Sequence, residues 1–400
     1  MASGQFISSL RNSAEKNGLF VAVDVYSGAG GLTEGFKLAG FEVAVAVDND
    51  EYVEQTYKFN HPEVHFIRDK VENINGGKIL DLVAKKGFLG VDVLIGGPPC
   101  QAFSFANTQS GGIENPLSNG VWEFLRLIEE IKPTVFVMEN VLGLRSKRNG
   151  HVSAQIVEKA QQLGYESKSE PFCAVDFGVP QKRRRTFVFG TRLKTSLGAI
   201  SKRKKATLKV STAISDLPPL PEGGGGSEIA DYGKKPQNRY QSLMRENSPK
   251  LFNHATSKSG SIDPNVIKRF KRIPQGKSLN DVWPKLPSNL KEGIVCVQTG
   301  YVHSNIYRRL RWREPAPTIV HVRKAVLLHP FQHRLLSVRE AARLQSFFDR
   351  YRFFGSVSRE YQQVADAVPV FMANGIADKV MSHLMEAGEK RKEQAQAVLH

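Results

Sequence analysis

Residues 24–36 read DVYSGAGGLTEGF, and the apolar run 19–25 leads straight into them. An apolar stretch of that length ending on a glycine cluster predicts a buried strand that turns tightly into a helix. Gly28, Gly30 and Gly31 form the turn, where the missing Cβ permits positive φ and a close backbone approach to a ligand. The helix is expected over 31–39, ended by Gly40 in the left-handed position past a helix terminus. Twenty residues beyond Gly28, at the end of a second apolar run over 43–47, stands Asp48, placed to hold two ribose hydroxyls. An adenosine-containing cofactor is one reading of this unit and an ordinary glycine-rich turn the other. The dinucleotide fingerprint fits poorly, because Thr33 occupies its final Gly or Ala position.

The same rhythm continues outward. A helix is expected over 52–60, strands over 64–67, 91–95 and 134–138, and an amphipathic helix over 122–131. Strand and helix in alternation predict an α/β fold: a Rossmann-like, doubly wound, mostly parallel sheet covered on both faces. After about residue 195 the rhythm breaks. The stretch LPPLPEGGGGSEIADYGKKPQ reads as loop, and its four glycines are compatible with a native loop or an engineered linker. Residues 200–310 lack clear periodicity and predict a second, smaller, loop-rich domain. Ser337-Val-Arg-Glu340 is a capping box opening a helix over 341–347, and 361–389 is mostly helical with a break at Pro369. No internal repeat is visible.

A chain of 400 residues with 40% apolar content is long enough for two cores. It has no 18-residue apolar run to cross a membrane and no secretory layout at its N-terminus. Three cysteines, Cys100, Cys173 and Cys296, fit neither a disulfide framework nor a zinc site. A reducing, cytoplasmic location and no metal are expected. The net charge of +17 is uneven: residues 1–60 hold eight acidic against four basic side chains, and 181–211 hold eleven Lys or Arg with no acid. A second basic stretch runs from Arg308 to Arg343. Such a field fits a polyanion, whose neutralised phosphates release counterions.

Three further stretches carry chemistry. GGPPCQAFS (96–104) places Cys100 after two stiffening prolines at the end of a buried strand, beside the crevice where open α/β sheets bind ligands. That position suits a thiolate nucleophile or a buried structural cysteine. VFVMENV (135–141) ends a second buried strand on Glu139-Asn140, bringing a carboxyl to the same crevice. GVPQKRRRTFVFG (178–190) holds Arg183 and Arg185 at alternate positions, so that in an extended segment both project to one face. Together these groups suit alkylation of a pyrimidine at carbon 5. Thiolate addition at carbon 6 makes carbon 5 nucleophilic, the glutamate engages ring nitrogen 3, and arginine holds the carbonyl at position 2.

The motifs, in this order and over nearly the whole chain, resemble the carbon-5 cytosine-specific DNA methyltransferases of bacterial restriction-modification type. The resemblance implies S-adenosylmethionine as methyl donor, S-adenosylhomocysteine as product and double-stranded DNA as substrate. It implies catalytic roles for Cys100, Glu139, Arg183 and Arg185. Tyr26, where phenylalanine is usual, would lie against adenine; Asp48 would hold the ribose; Asp69, in IRDKV, would contact the adenine amine. The implied cofactor site also takes in Asp24, Gly28, Gly30, Gly31, Leu32, Asn49, Lys70, Pro99, Asp366 and Val368. Residues 365–370 read ADAVPV where the family usually has Gly-Asn-x-Val-Pro-Pro. Asp366 therefore replaces an asparagine that helps bind the methionine end, and its charge would repel the cofactor carboxylate or pair with its ammonium.

HRLLSVREAARLQSF resembles the element that orders the family's recognition domain. The implied division is a discontinuous catalytic domain, 1–195 and 357–400, and a target recognition domain, 196–356. Asn238, Arg239, Arg245, Gln298, His303 and Asn305 are candidate readers of base edges, set against phosphate contacts or solvated side chains. The target cytosine must swing out of the stack, and residues 103–112 have the composition of a closing lid. A monomer is expected, with a restriction endonuclease as functional partner. A bacterial source would place it at the nucleoid and a eukaryotic one in the nucleus. The alternatives are a tRNA cytosine-5 methyltransferase of the same architecture and a catalytically impaired DNA-binding relative. A nicotinamide dehydrogenase leaves the Cys, Glu and Arg motifs without a role.

Overall fold

The structure, a computed structural model, describes residues 20–99, 119–140, 150–200, 207–256, 263–291, 307–320 and 326–398. Cys100, Cys296, Gln298, His303, Asn305 and the expected lid at 103–112 lie outside the described residues. The chain divides into two compact units. The first comprises Met1–Cys173, Arg184–Arg203 and Val370–His400; the second comprises Ala174–Arg183 and Lys204–Pro369.

In the first unit, strands and helices alternate as β1 (Val21–Val25), α1 (Gly31–Leu38), β2 (Glu42–Asp48), α2 (Glu51–Asn60), β3 (His65–Arg68), α3 (Gly76–Lys85), β4 (Val93–Gly96), α4 (Asn119–Ile131), β5 (Val135–Asn140), α5 (Gly150–Gln162) and β6 (Glu166–Cys173). A seventh strand, β7 (Arg184–Thr191), completes one sheet of order β3-β2-β1-β4-β5-β7-β6. The pairs from β3 through β5 are parallel, and β7 runs antiparallel to both β5 and β6. The order reverses at β1, which lies between β2 and β4. Such a switch point is where open α/β sheets bind ligands. Register brings the relevant strand ends level, since Val25 pairs with Val47 on one side and Gly96 on the other.

The central strands β1, β2, β4 and β5 are largely apolar because both faces are covered. Val23, Val45, Leu94, Phe136, Met138 and Val188 are fully buried with Phe124 and Ile128 of α4. One buried acid ties the sheet's start together: Asp92 accepts from the Val21 backbone N–H at 2.8 Å, and burial pushes its pKa up to about 6. The helix Val370–Val398 crosses α1 at close range. A Cβ on Gly35 would lie 2.4 Å from the Ala373 Cβ, so only glycine permits the approach. Farther along the same helix, His383 Nε2 meets Thr191 Oγ1 of β7 at 3.0 Å.

The second unit contains α6 (Val210–Ile214), α7 (Arg239–Met244), α8 (Pro264–Lys271), α9 (Leu279–Val282), α10 (Val338–Leu344) and α11 (Val357–Asp366), with an antiparallel pair β8 (Gly226–Ala230) and β9 (Leu251–Ala255). The expected capping box is present: Ser337 Oγ accepts from Glu340 N, and Glu340 Oε2 accepts from Ser337 N. The four glycines of residues 223–226 all have positive φ, from 79° to 125°, and are wired into the hairpin. Gly225 N donates to Thr256 Oγ1 and Gly226 pairs with Ala255. That is the behaviour of a native turn, not of an inserted linker.

The centre of this unit is ionic. Arg343 donates to Asp216 and to Asp349 at 2.6 Å each, and Arg334 makes two bonds to Glu340; all five side chains are buried. Burial pushes the Glu340 and Asp349 carboxyls up, but the Arg334 and Arg343 guanidinium groups outweigh it and hold both below their ordinary range.

The unit boundaries differ from the sequence-based division over 174–183, 196–203 and 357–369. Residues 181–182 pair in parallel with Ala316–Pro317, which joins 174–183 to the second unit. Residues 357–369 carry α11, whose Val364 backbone carbonyl accepts a bond from the Gln345 side chain beyond α10.

Candidate active site

The glycine-rich turn joins β1 to α1 through three left-handed residues: Tyr26 at φ 57°, Gly28 at 52° and Gly30 at 82°. A tyrosine in that region costs about 1–3 kcal/mol, and here it persists where the turn faces the switch point. Asp48, at the end of β2, anchors the turn. Its Oδ2 accepts from Gly28 N at 2.9 Å and its Oδ1 from Asp50 N at 3.1 Å. Burial raises its pKa against these two bonds. Each oxygen keeps lone-pair capacity for a ligand hydroxyl. Asn49 is exposed beside it.

Asp24 is a buried member of the expected cofactor set. Its side chain is fully buried, and Oδ2 accepts from Thr33 Oγ1 at 2.7 Å, with the Tyr57 hydroxyl 2.5 Å beyond. It braces the start of α1 from inside. Leu32 is likewise buried, 4% exposed, so its side chain belongs to the core. Three polar atoms at this turn, Asp24 Oδ1, Tyr26 OH and Ser27 Oγ, are buried with no hydrogen-bond partner among the described residues. A site left with unmet polar capacity on a positive-φ turn fits a polar nucleoside group. Asp69, after β3, accepts from Asn73 Nδ2 and Lys70 N at 2.7 Å each, which lowers its pKa; Lys70 itself is exposed.

The reacting end lies at β4 and β5. Asn140 Nδ2 reaches the Pro98 carbonyl at 3.5 Å, tying the segment that leads to Cys100 to the end of β5. Pro99 is exposed. Glu139 Oε2 lies over the same segment, 3.3 Å from where a Cβ on Gly97 would sit. Its Oε1 accepts from Arg185 Nε at 2.7 Å, and the side chains are 12% and 15% exposed. The pairing follows from the reversed strand, which sets Glu139 opposite Phe187 and Asn140 opposite Thr186, so that Arg185 arrives one step past the end of β5. The structure thus joins Glu139, Arg185 and the approach to Cys100.

The two arginines of the RRR run have different partners. Arg183 is 1% exposed and donates to the Ile319 carbonyl at 3.0 Å and the Asp366 carbonyl at 3.3 Å. A residue in irregular backbone between the short strand Gln181–Lys182 and β7 escapes the strand alternation that predicted a shared face. Asp366, at the end of α11, is exposed; both its carboxylate oxygens accept from Gln362 Nε2, at 2.7 and 2.8 Å. Val368 is buried.

Two of the candidate base readers serve the fold. Asn238 caps α7, accepting from Gln241 N, and donates to the Thr212 carbonyl. Arg245 donates to Asp216 through Nε and stacks its guanidinium 3.8 Å from the Tyr232 ring centroid. Arg239 is exposed. The basic stretch Arg308–Arg343 is similarly internal in part. Arg309, Arg334, Arg339 and Arg343 are at most 3% exposed and bond to carboxylates or backbone carbonyls, so their charge is not offered to a polyanion. The Thr33–Tyr57 bracing of Asp24 escaped the sequence reading, because a threonine and a tyrosine 24 residues apart carry no local signal.

A parallel sheet with one reversed strand, a glycine-rich turn at its switch point and an acid at the end of the second strand define an α/β enzyme of the methyltransferase fold. Residues 20–382 match the C-5 cytosine-specific DNA methylase family. The chain is 32% identical to the type II methyltransferase M.DdeI of Desulfomicrobium norvegicum, over 90% of this chain and 88% of that protein. It is equally identical, at 32%, to the type II methyltransferase M.AgeI of Thalassovita gelatinovora, over 90% and 98%. Of solved structures, an Escherichia coli prophage-encoded protein described as a DNA modification methyltransferase superposes with a TM-score of 0.72 at 23% identity, over 92% of this chain and 99% of that one. Spodoptera frugiperda DNMT2 shares the fold at a TM-score of 0.55 and 13% identity, over 90% and 99%. The chain belongs to the C-5 cytosine-specific DNA methylase family, and its enzyme class is DNA (cytosine-5-)-methyltransferase.

Proposed function

We propose that the enzyme transfers a methyl group from S-adenosylmethionine to carbon 5 of an extruded cytosine in a specific duplex DNA sequence, through a covalent bond to Cys100. The first unit holds donor and chemistry, and the second reads the DNA. The observation that carries this reading is the Glu139–Arg185 pair beside the segment leading to Cys100.

The positive-φ turn, the partnerless polar atoms around it and the Asp48 carboxylate fit the nucleoside part of the donor. Asp48 would bond the ribose hydroxyls, Tyr26 would cover adenine and Asp69 would meet the adenine amine. Asp366 and Val368, expected at the methionine end, belong to the second unit. When bound, the donor supplies an electrophilic methyl group on a sulfonium sulfur.

The Cys100 thiolate adds to carbon 6, and the ring electrons shift toward carbon 5 and nitrogen 3. Glu139, as the carboxylic acid, donates to nitrogen 3. Arg185 fixes that carboxyl through Nε and presents a remaining N–H to the carbonyl at position 2. Carbon 5 would take up the methyl group, the donor leaving as its neutral thioether, and would then lose its proton to water while nitrogen 3 returns its proton to Glu139. Expulsion of the thiolate restores the ring double bond. Arg183 acts as a positioning residue through the carbonyls it holds.

Among the described residues no helix is long and apolar enough to cross a membrane. We place a bacterial form of the enzyme in the cytoplasm as a monomer, with a restriction endonuclease as its functional partner. The test is transfer of labelled methyl groups to genomic DNA and to tRNA side by side, with bisulfite sequencing of the DNA. Label on DNA at one short motif is expected, as is a covalent adduct with a 5-fluorocytosine duplex carrying that motif. Label on tRNA alone, or no transfer at all, overturns the reading in favour of the RNA enzyme or the impaired relative.

A further inference from the structure

The buried arginines of 308–343 leave open which surface of the second unit meets a polyanion. Residues 264–291 hold seven Lys or Arg and one acid, a local excess outside both stretches the composition singled out. Their arrangement is set by α8. Its apolar side buries Phe270 in a small core with Ile273, Leu279, Leu286 and Leu290. Arg269 turns inward with it, donating to the Leu290 carbonyl at 2.8 Å. That rotation leaves Lys268, Lys271 and Arg272, spaced i, i+3 and i+4, exposed on the opposite side.

These three cations line an open cleft of about 350 Å³ with Pro287, Asn289 and Leu290. No acid lines it. Lys271 has one ionic partner, Glu222 at 2.9 Å, with both side chains about half exposed, and water screens such a surface pair to near-insignificance. Lys268 and Arg272 have no ion-pair partner among the described residues. Cations four residues apart span about 6 Å of helix axis, and duplex DNA carries a negative charge per about 1.7 Å of its axis. Counted over both strands, that span carries about three to four phosphates.

We propose that Lys268, Lys271 and Arg272 grip the phosphate backbone of the duplex, supplying sequence-independent affinity that positions the second unit on DNA. This rests on the DNA methyltransferase reading above. Two exposed lysines and an arginine on one helix side suit phosphate contact.

The experiment is the salt dependence of binding by the full chain to a duplex containing its methylation motif and to an unrelated duplex. The variant K268Q/K271Q/R272Q is compared with wild type and with K58Q/K78Q/K85Q, three exposed lysines of the first unit that serve as a charge-matched control. Each lost phosphate contact lowers the log–log salt slope by about 0.9. The patch variant should have a slope smaller by about 2.7, so that wild type loses about 40-fold more affinity than the variant between 50 and 200 mM salt. Both duplexes should respond alike, and K268R/K271R/R272K should restore the slope. An unchanged slope in the patch variant, or an equal change in the control, overturns the proposal. Those outcomes leave the enzyme's reaction standing if wild type methylates DNA. Absence of methylation by wild type is a separate failure.

Discussion

Asp24→Asn should change how stability depends on pH, and the size of the effect follows from burial. Asp24 is fully enclosed, and burial, helped by the nearby Asp48 charge, pushes its pKa from an ordinary 3.8 to about 7 against the Thr33 hydrogen bond. Between those values the folded protein holds a proton that the unfolded chain has lost. Stability is therefore complete below pH 4 and declines as pH rises to 7, by about 1.4 kcal/mol per pH unit and ~4 kcal/mol in all. Asparagine keeps an oxygen to accept from Thr33 and cannot ionise. Asp92 and Glu360, raised to about 6 and about 7, give both proteins a slope of the same sign, which cancels in the difference. Urea unfolding of the two proteins from pH 4 to 8 should give curves that meet at the acid end and separate by ~4 kcal/mol above pH 7, with the variant the more stable. Removing the hydroxyl with Thr33→Val should extend the decline to higher pH, since the ionised acid then loses its donor. If the Asp24→Asn and wild-type curves run parallel across this range, the buried-acid account is refuted.

Three more outcomes are expected. Glu139→Gln should lower kcat by about 10²–10⁴-fold, the usual worth of a general acid, while DNA binding by gel shift changes little. Arg343→Met should leave the Asp216 and Asp349 carboxyls buried without their shared cation, costing about 3–5 kcal/mol in chemical denaturation; a loss below 1 kcal/mol would sink the ionic-core description. Gly226→Ala places a Cβ 2.3 Å from the His254 carbonyl oxygen at φ 102°, and should lower the melting temperature far more than Gly87→Ala, where φ is also positive but no atom lies within 4 Å.

The parallel half of the sheet was legible because its strands are short apolar runs punctuated by glycine and capping residues. The Ser337 cap and the Gly40 terminator are local signals, and they appear as read. Strand direction is not local. TFVFG reads as a buried strand whichever way it runs, yet its reversal between β5 and β6 is what delivers Arg185 to Glu139. Helix α3 went unread although Ile79 and Val83 lie four apart on its buried side, because two glycines open it. The arginines show the deepest limit of charge counting. A guanidinium whose carboxylate partner lies 127 residues away, as Asp216 does from Arg343, looks in the sequence like one more surface cation. The exposed cluster on α8 was passed over because the surrounding residues have no period long enough to mark a helix.

The tight crossing of residues 373–374 over Gly35 has a consequence during synthesis. A ribosome completes the strands of the sheet long before it makes the helix that covers α1, and most of the second unit is translated in between. The nascent chain must therefore carry an uncovered α1 surface for some three hundred codons, a state open to chaperones and to proteolysis. Premature termination anywhere before residue 370 should accordingly yield degraded protein and not a partly active fragment.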